Sequence, residues 1–393
     1  MLIIASGKRA FPRDYVRRRR LSRRLSNALL VSVLSLGAAY LITRQPDTGF
    51  SVPQGSAALP SSQSSPVPQS RAADTESAVT AYKLQPGPYV VGELPDVVVP
   101  DSKRNKDLHV RVFYPSQPGR YPVILFSHGA GGSQTCCEAL THHWASYGYV
   151  TLQPTHDDSF RQRRLSGTRV SAGEDARFMQ AVRDALKTPA LWESRPVDIS
   201  LLIDSLPSLQ ARFPELAAKL DTSRVGLAGH SMGSFTSEVI GGAVFDLPGR
   251  PATNAADPRV KAILCLSPQG PGQFGLTERS FDEITVPYLG ITGSLDSLGP
   301  VASPTWHRFP FEHSHPGDKY QIMIQGANHM SFISARTLSP SRAPQAQSIL
   351  DYTNSAALAF WDAYLKRDPA AKHYLQSDAL EKVSQGAVEL DRR

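Results

Sequence analysis

The chain has 393 residues, 41% hydrophobic and 20% charged, which suits a globular protein of one large domain or two medium ones. Its formal charge of +7 is a local feature, because nine of the 42 basic residues crowd into 8–24 against the single acid Asp14. The body is near neutral, which argues against nucleic-acid binding, and three cysteines (Cys136, Cys137, Cys265) give neither a disulfide framework nor a zinc spacing.

The basic stretch runs into an apolar segment, Leu25 to Ile42, whose uninterrupted part has the length of a signal-peptide core and is short for a membrane span. Gly37-Ala38-Ala39 offers small residues for cleavage, and Ser22-Arg23-Arg24 resembles a twin-arginine signal. Residues 1–44 are thus expected to be a basic leader that engages export machinery, or an anchor that stays in the membrane. Either reading sends the body out of the cytoplasm. A basic tail followed by a buried helix is the plainer alternative. Residues 45–80, rich in Ser, Pro, Gln and Ala, read as a disordered linker, and 81–393 as the catalytic domain.

Within the body, Val97–Pro100 and Leu108–Tyr114 are expected to pair as antiparallel strands. Pro122–Phe126 is a continuous apolar run, as in a strand covered on both faces, and ends in Ser127-His128-Gly129-Ala130-Gly131-Gly132. A helix over 138–147 and a strand over 149–153 follow. Residues 159–192 are the least regular stretch, expected to form a cap with a helix over 173–187; a second helix is expected over 196–206, with Pro196 early in it. Further buried strands are expected at 224–228, 260–266, 286–292 and 320–325, and helices at 234–245 and 349–365. This alternation predicts an α/β fold with a mostly parallel sheet covered by helices on both faces.

Gly229-His230-Ser231-Met232-Gly233 joins an apolar strand to a helix, the context that makes G-x-S-x-G a nucleophile elbow. In an open parallel sheet, function collects at the carboxyl ends of the strands. There the sequence places His128-Gly129, Ser231, Asp296 and His329, and the order Ser, Asp, His is that of an α/β-hydrolase triad. A serine needs a base to take its proton, histidine titrates near neutrality, and a carboxylate fixes its tautomer. Ser231 is assigned as nucleophile, His329 as base and Asp296 as the orienting acid, with the backbone N–H groups of Met232 and Ala130 as oxyanion donors. His128, Gly129, His230 and Trp306 are candidate substrate contacts. His307, His313 and His315 precede the last strand and rank below His329; Asp157, Asp158, Asp282 and Glu283 rank below Asp296. No metal or organic cofactor is expected, since His313-x-His315 has no clustered acid or cysteine beside it.

These segments, with Arg195-Pro196-Val197-Asp198-Ile199 and Gly326-Ala327-Asn328-His329, resemble the α/β-hydrolase superfamily over roughly residues 90–365. The resemblance is to its dienelactone-hydrolase-like and platelet-activating-factor-acetylhydrolase-like esterases. It implies an eight-stranded mixed sheet and hydrolysis of carboxylic esters through an acyl-serine intermediate. Two departures stand out: dienelactone hydrolases have a cysteine where Ser231 stands, and Leu266-Ser267-Pro268-Gln269 offers no carboxylate where the acetylhydrolases carry their acid. Secreted polyester and cutin hydrolases are similar in their Gly-x-Ser-Met-Gly elbow. The expected function is an exported serine esterase acting on a small-molecule or lipid ester. Its alternatives are a lipase or phospholipase A-type acylhydrolase and a catalytically idle binding module; a peptidase or acyltransferase would use the same triad.

Overall fold

A computed structural model describes residues 81–160, 180, 182–298, 302–333 and 343–393. The expected leader, linker and most of the expected cap lie outside these residues. Among the described residues, no helix is long and apolar enough to cross a membrane.

The architecture is a nine-stranded mixed sheet between two layers of helices. Strands β1 (Val91–Asp101), β2 (Lys106–Pro115), β3 (Tyr121–Ser127), β4 (Val150–Thr155) and β5 (Leu220–His230) form its first half. A hairpin, β6 (Val244–Leu247) and β7 (Arg250–Asn254), stands apart, and β8 (Val260–Leu266), β9 (Tyr288–Gly293), β10 (Lys319–Ile324) and β11 (Val388–Arg392) complete the sheet. The order is β1-β2-β4-β3-β5-β8-β9-β10-β11; the run from β4 to β10 is parallel, and β1, β2 and β11 give the antiparallel edges. The ninth strand, β11, is one more than the resemblance implies.

Side-chain alternation explains why the central strands read as unbroken apolar runs. Val123 and Leu125 of β3, Leu227 of β5 and Ile263 of β8 face one core, built with helices α2 (Pro189–Arg212) and α3 (Met232–Ile240). Ile124 and Phe126, Ala228 and Leu264 face the other, built with α1 (Glu138–Ser146) and α5 (Ala343–Leu365). Strands with period-two side chains and helices on both sides have no polar face to show. In the last part of the chain, α4 (Phe309–His313) packs on β9 and β10, α6 (Pro369–Gln376) on α5, and α7 (Ala379–Val383) on β11.

Local differences from expectation have physical causes. Helix α2 starts seven residues before Pro196, which lies inside it together with Pro207. Burial of Ile199, Leu202, Ile203 and Leu206 against the sheet offsets the N–H groups that the two prolines lack. Helix α3 stops at Ile240, because Gly241 and Gly242 turn the chain and Val244–Leu247 pairs as a strand.

Candidate active site

The elbow is built by close approach. A Cβ on Gly229 would lie 2.0 Å from the Gly233 carbonyl oxygen, and one on Gly233 would lie 1.9 Å from that of Ser127. Only glycine fits at both places, and the tight turn holds Ser231 at φ 55, ψ −117, a costly conformation for a residue with a side chain. The turn is secured by Ser231 N–H donating to Leu266 O (2.9 Å) and by the Ser234 hydroxyl donating to Leu266 O (2.7 Å). Met232 opens α3, where backbone N–H groups have no partner inside the helix.

Asp296 and His329 lie just past the carboxyl ends of the adjacent strands β9 and β10. His329 Nδ1 donates to Asp296 Oδ1 at 2.9 Å, which leaves Nε2 as the basic nitrogen. Asp296 is fully buried, and its Oδ2 accepts from Ser267 Oγ (2.6 Å) and Thr292 Oγ1 (2.9 Å). Burial pushes its carboxyl upward, but the charges of His307 and then His329 prevail and hold it well below the usual carboxylate range. His329 stays near the surface of the site at 6% exposure.

His230 is buried and does not line a substrate space. Its Nε2 donates to the His329 carbonyl at 2.8 Å, its ring lies 4.9 Å from that of His329, and burial drives its pKa down to about 3. It is therefore a neutral prop for the backbone that carries His329. Gly129 packs directly on the elbow, since an added Cβ would lie 3.1 Å from His230 Nδ1 and 3.6 Å from Ser231 Cβ. Ala130 follows it, half-buried. Trp306, also half-buried, covers Gly270 and donates from its indole N–H to Pro271 O at 3.0 Å.

Beneath the Ser127–Gly132 loop lies a buried network that the sequence reading did not anticipate. Arg195, on α2, grips Asp158 with two hydrogen bonds (Nε to Oδ1 2.9 Å, Nη2 to Oδ2 2.8 Å) and donates to His128 O at 2.6 Å. Asp158 Oδ2 in turn accepts the Gly131 N–H at 2.9 Å. Arg195 also donates to Ser127 Oγ (3.2 Å), so the Ser127 hydroxyl points to His156 Nε2 (2.9 Å) and His156 Nδ1 donates to Asp198 Oδ2 (2.8 Å). Asp198 Oδ1 is paired with Arg104 (2.6 Å) and Lys106 (2.8 Å). His128 belongs to this layer rather than to a substrate wall: it is 1% exposed, and its Nε2 accepts the His156 N–H at 3.0 Å. The signal available in the sequence was the pair Arg195 and Asp198, one helical turn apart on α2.

The weaker candidates fall elsewhere. Asp157 pairs with Lys106, His313 stacks on Phe309, and His315 Nδ1 bonds the Pro316 carbonyl. All three cysteines are free thiols. Among the described residues, one trio of potential metal ligands is close enough to share an ion, namely Asp296, His307 and His329. Their contacts are at hydrogen-bond and ion-pair lengths, 2.9 Å and 3.1 Å.

Comparison with known proteins agrees with this architecture. A family model described as Chlorophyllase matches residues 83–172, and one described as PET hydrolase-like matches residues 184–342. Cutinase est1 of Thermobifida alba is 26% identical over 222 residues, 56% of this chain and 57% of the relative. Cutinase est2 of the same organism is 26% identical, covering 56% of each chain. Cutinase 1 of Thermobifida cellulosilytica is 22% identical, over 56% of this chain and 64% of the relative. The matches thus span less than two thirds of the length of these relatives. With a mixed sheet wrapped by helices, a G-x-S-x-G turn after β5 and two hydrolase matches in succession, the chain belongs to the α/β-hydrolase superfamily, with its dienelactone-hydrolase-like esterases.

Proposed function

We propose that the protein is an exported serine hydrolase that cleaves carboxylic esters through an acyl-serine intermediate. The observation that carries this reading is the bond from His329 Nδ1 to the buried Asp296, next to a serine strained into an elbow. His329 Nε2 takes the Ser231 proton as Oγ bonds to the ester carbonyl carbon. The resulting oxyanion is held by the N–H groups of Met232 and Ala130, and Asp296 stabilises the imidazolium. The intermediate collapses by breaking the bond to the alkoxy oxygen, which leaves as alcohol with the proton from His329. Water then gives a proton to His329, attacks the acyl-serine and releases the acid, returning the proton to Ser231.

The relatives' names, cutinases and PET hydrolase-like, support polymeric esters as the substrate class. The catalytic unit is taken as residues 81–393, preceded by the leader and linker. The test uses p-nitrophenyl esters of rising chain length and a polyester film, with a serine-reactive fluorophosphonate and Ser231→Ala as control. Turnover and labelling that both vanish in the variant are expected. Labelling that survives in Ser231→Ala would move the nucleophile elsewhere, and a wild-type protein with neither labelling nor turnover would leave a hydrolase fold that serves as a binding module. Cell fractionation tests export: intact protein in the cytoplasm overturns that part.

A further inference from the structure

We propose that His307 is a positioning residue of the triad, a second histidine that shares Asp296 with His329 and stays protonated on both ring nitrogens at neutral pH. The inference rests on the esterase reading above.

His307 follows Trp306 in the segment before α4 and is fully buried. Its Nδ1 lies 2.6 Å from the Pro268 carbonyl oxygen, just past β8. A carbonyl only accepts, so Nδ1 carries a hydrogen. Its Nε2 lies 3.1 Å from Asp296 Oδ1, as an ion-pair contact rather than an aligned hydrogen bond. A bare nitrogen lone pair at that distance from a buried carboxylate is repulsive, so Nε2 carries a hydrogen too. Two acceptors at the two nitrogens of one buried ring define an imidazolium. Burial opposes the charge, but Asp296 and the Pro268 carbonyl override it, placing the ring above the ordinary histidine value.

The carboxylate is fully engaged. Oδ1 faces both histidines, and Oδ2 accepts from Ser267 and Thr292, so every acceptor direction has a neighbour and the group cannot swing away from His329. The ionisable groups around His307 are Asp296 after β9, His329 after β10 with its ring 6.2 Å away and nearly parallel, and His230 at the end of β5, kept neutral by burial. Trp306 lies 5.1 Å away, edge-on.

Function follows from charge count. In a triad with one histidine, the carboxylate's full charge favours a proton on the base at rest. Here His307 neutralises Asp296 in advance, and its charge opposes a second positive ring beside it. Asp296 still fixes the tautomer of His329.

The test is the pH profile of kcat/KM for p-nitrophenyl ester hydrolysis by the full chain, comparing wild type with His307→Asn and His307→Gln. Asn retains a donor near Pro268 and Gln retains one near Asp296, and both remove the charge. The acid limb is expected to move about one pH unit upward, which is about a tenfold loss below the limb. A lowered plateau with an unmoved limb would mean a purely structural residue and overturn the proposal. Should the variants fail to fold, wild-type protein labelled with nitrogen-15 histidine decides the matter. A ring assigned to His307 by its proximity to Trp306 should show two protonated nitrogens at pH 7.5. A neutral ring, or stoichiometric zinc held by His307, would overturn the proposal. Absence of Ser231-dependent turnover would sink the esterase reading instead, and the nitrogen spectrum would still decide on His307.

Discussion

Two Ser–His–Asp groupings meet at the Ser127–Gly132 loop. One is Ser231, His329 and Asp296; the other is Ser127, His156 and Asp198, joined at 2.9 Å and 2.8 Å. The residue types match, and the surroundings do not. Ser127 ends a regular strand, whereas Ser231 is forced to φ 55. Every member of the second grouping is fully buried, and its histidine already has both nitrogens bonded. Burial, then the charge of Arg195, lowers the pKa of His156, so accepting a proton there would place an imidazolium beside a guanidinium in a dry interior. Asp198 is held down to about 2, since its bonds to His156 and the charge of Lys106 outweigh burial. Exposure, backbone strain and the local count of positive charge, rather than residue order, separate the grouping proposed to turn over ester from the one that braces a loop.

The strongest challenge to this distinction is to remove each serine in turn. Ser231→Ala should lower ester turnover by on the order of 10⁶-fold, by serine-protease precedent, with the fold intact. Ser127→Ala leaves His156 and Arg195 short of one partner and should cost about 1–3 kcal/mol of stability, with turnover kept within about tenfold. Steady-state rates beside denaturant melts check both, and equal rate losses would erase the difference between the groupings.

The acids offer the next contrast. Asp296→Asn should cost about 10⁴-fold in kcat by the same precedent, because the wrong tautomer of His329 is then favoured. Asp198→Asn instead removes the carboxylate that Arg104 and Lys106 share, leaving them Asp101 and Asp157, and should cost about 1–3 kcal/mol of folding stability. If Asp198→Asn matched the rate loss of Asp296→Asn in folded protein, the lower layer would have to be counted as part of the chemistry.

What the sequence revealed and what it hid follow the range of the interactions. The strands at 121–127, 260–266 and 288–293 were legible because both faces are covered and nearly all their side chains are apolar, and the elbow because its glycines are a local steric need. The placement of Ser231, Asp296 and His329 at strand ends followed from the strand pattern itself. Strand β11 was missed: Val388-Glu389-Leu390-Asp391-Arg392 is short and half charged, and only pairing with β10 makes it a strand. His307 was ranked low for lying before the last strand, a chain-order argument blind to the loop that returns it to Asp296. Arg195 and Asp158 stand 37 residues apart, and no periodicity announces such a pair.

A third buried carboxylate sharpens the same lesson at smaller scale. Glu238 lies on α3, fully buried; its Oε1 accepts the Gln269 N–H at 2.9 Å, while its Oε2 has no hydrogen-bond partner. Unlike Asp296 with its histidines or Asp198 with its cations, it has no positive neighbour to set against burial, which raises its pKa to about 8. In the folded protein it is a neutral acid across a range where the unfolded chain is already ionised. The sign is therefore opposite to that of the two aspartates. The folded state binds the extra proton, so stability falls as pH rises from about 4.5 to about 8, by an amount on the order of a few kcal/mol, and levels off above that window. Asp296 and Asp198, depressed on folding, contribute stability that is present above the ordinary carboxylate range and is lost only in acid. Glu238→Gln keeps the bond to Gln269 and removes the titration. It should match wild type in thermal melts near pH 4.5 and exceed it at pH 9, with ester turnover little changed. A variant equally stable at both pH values would mean that Glu238 ionises normally in place, and that burial without a cation does not by itself set the charge of an acid in this core.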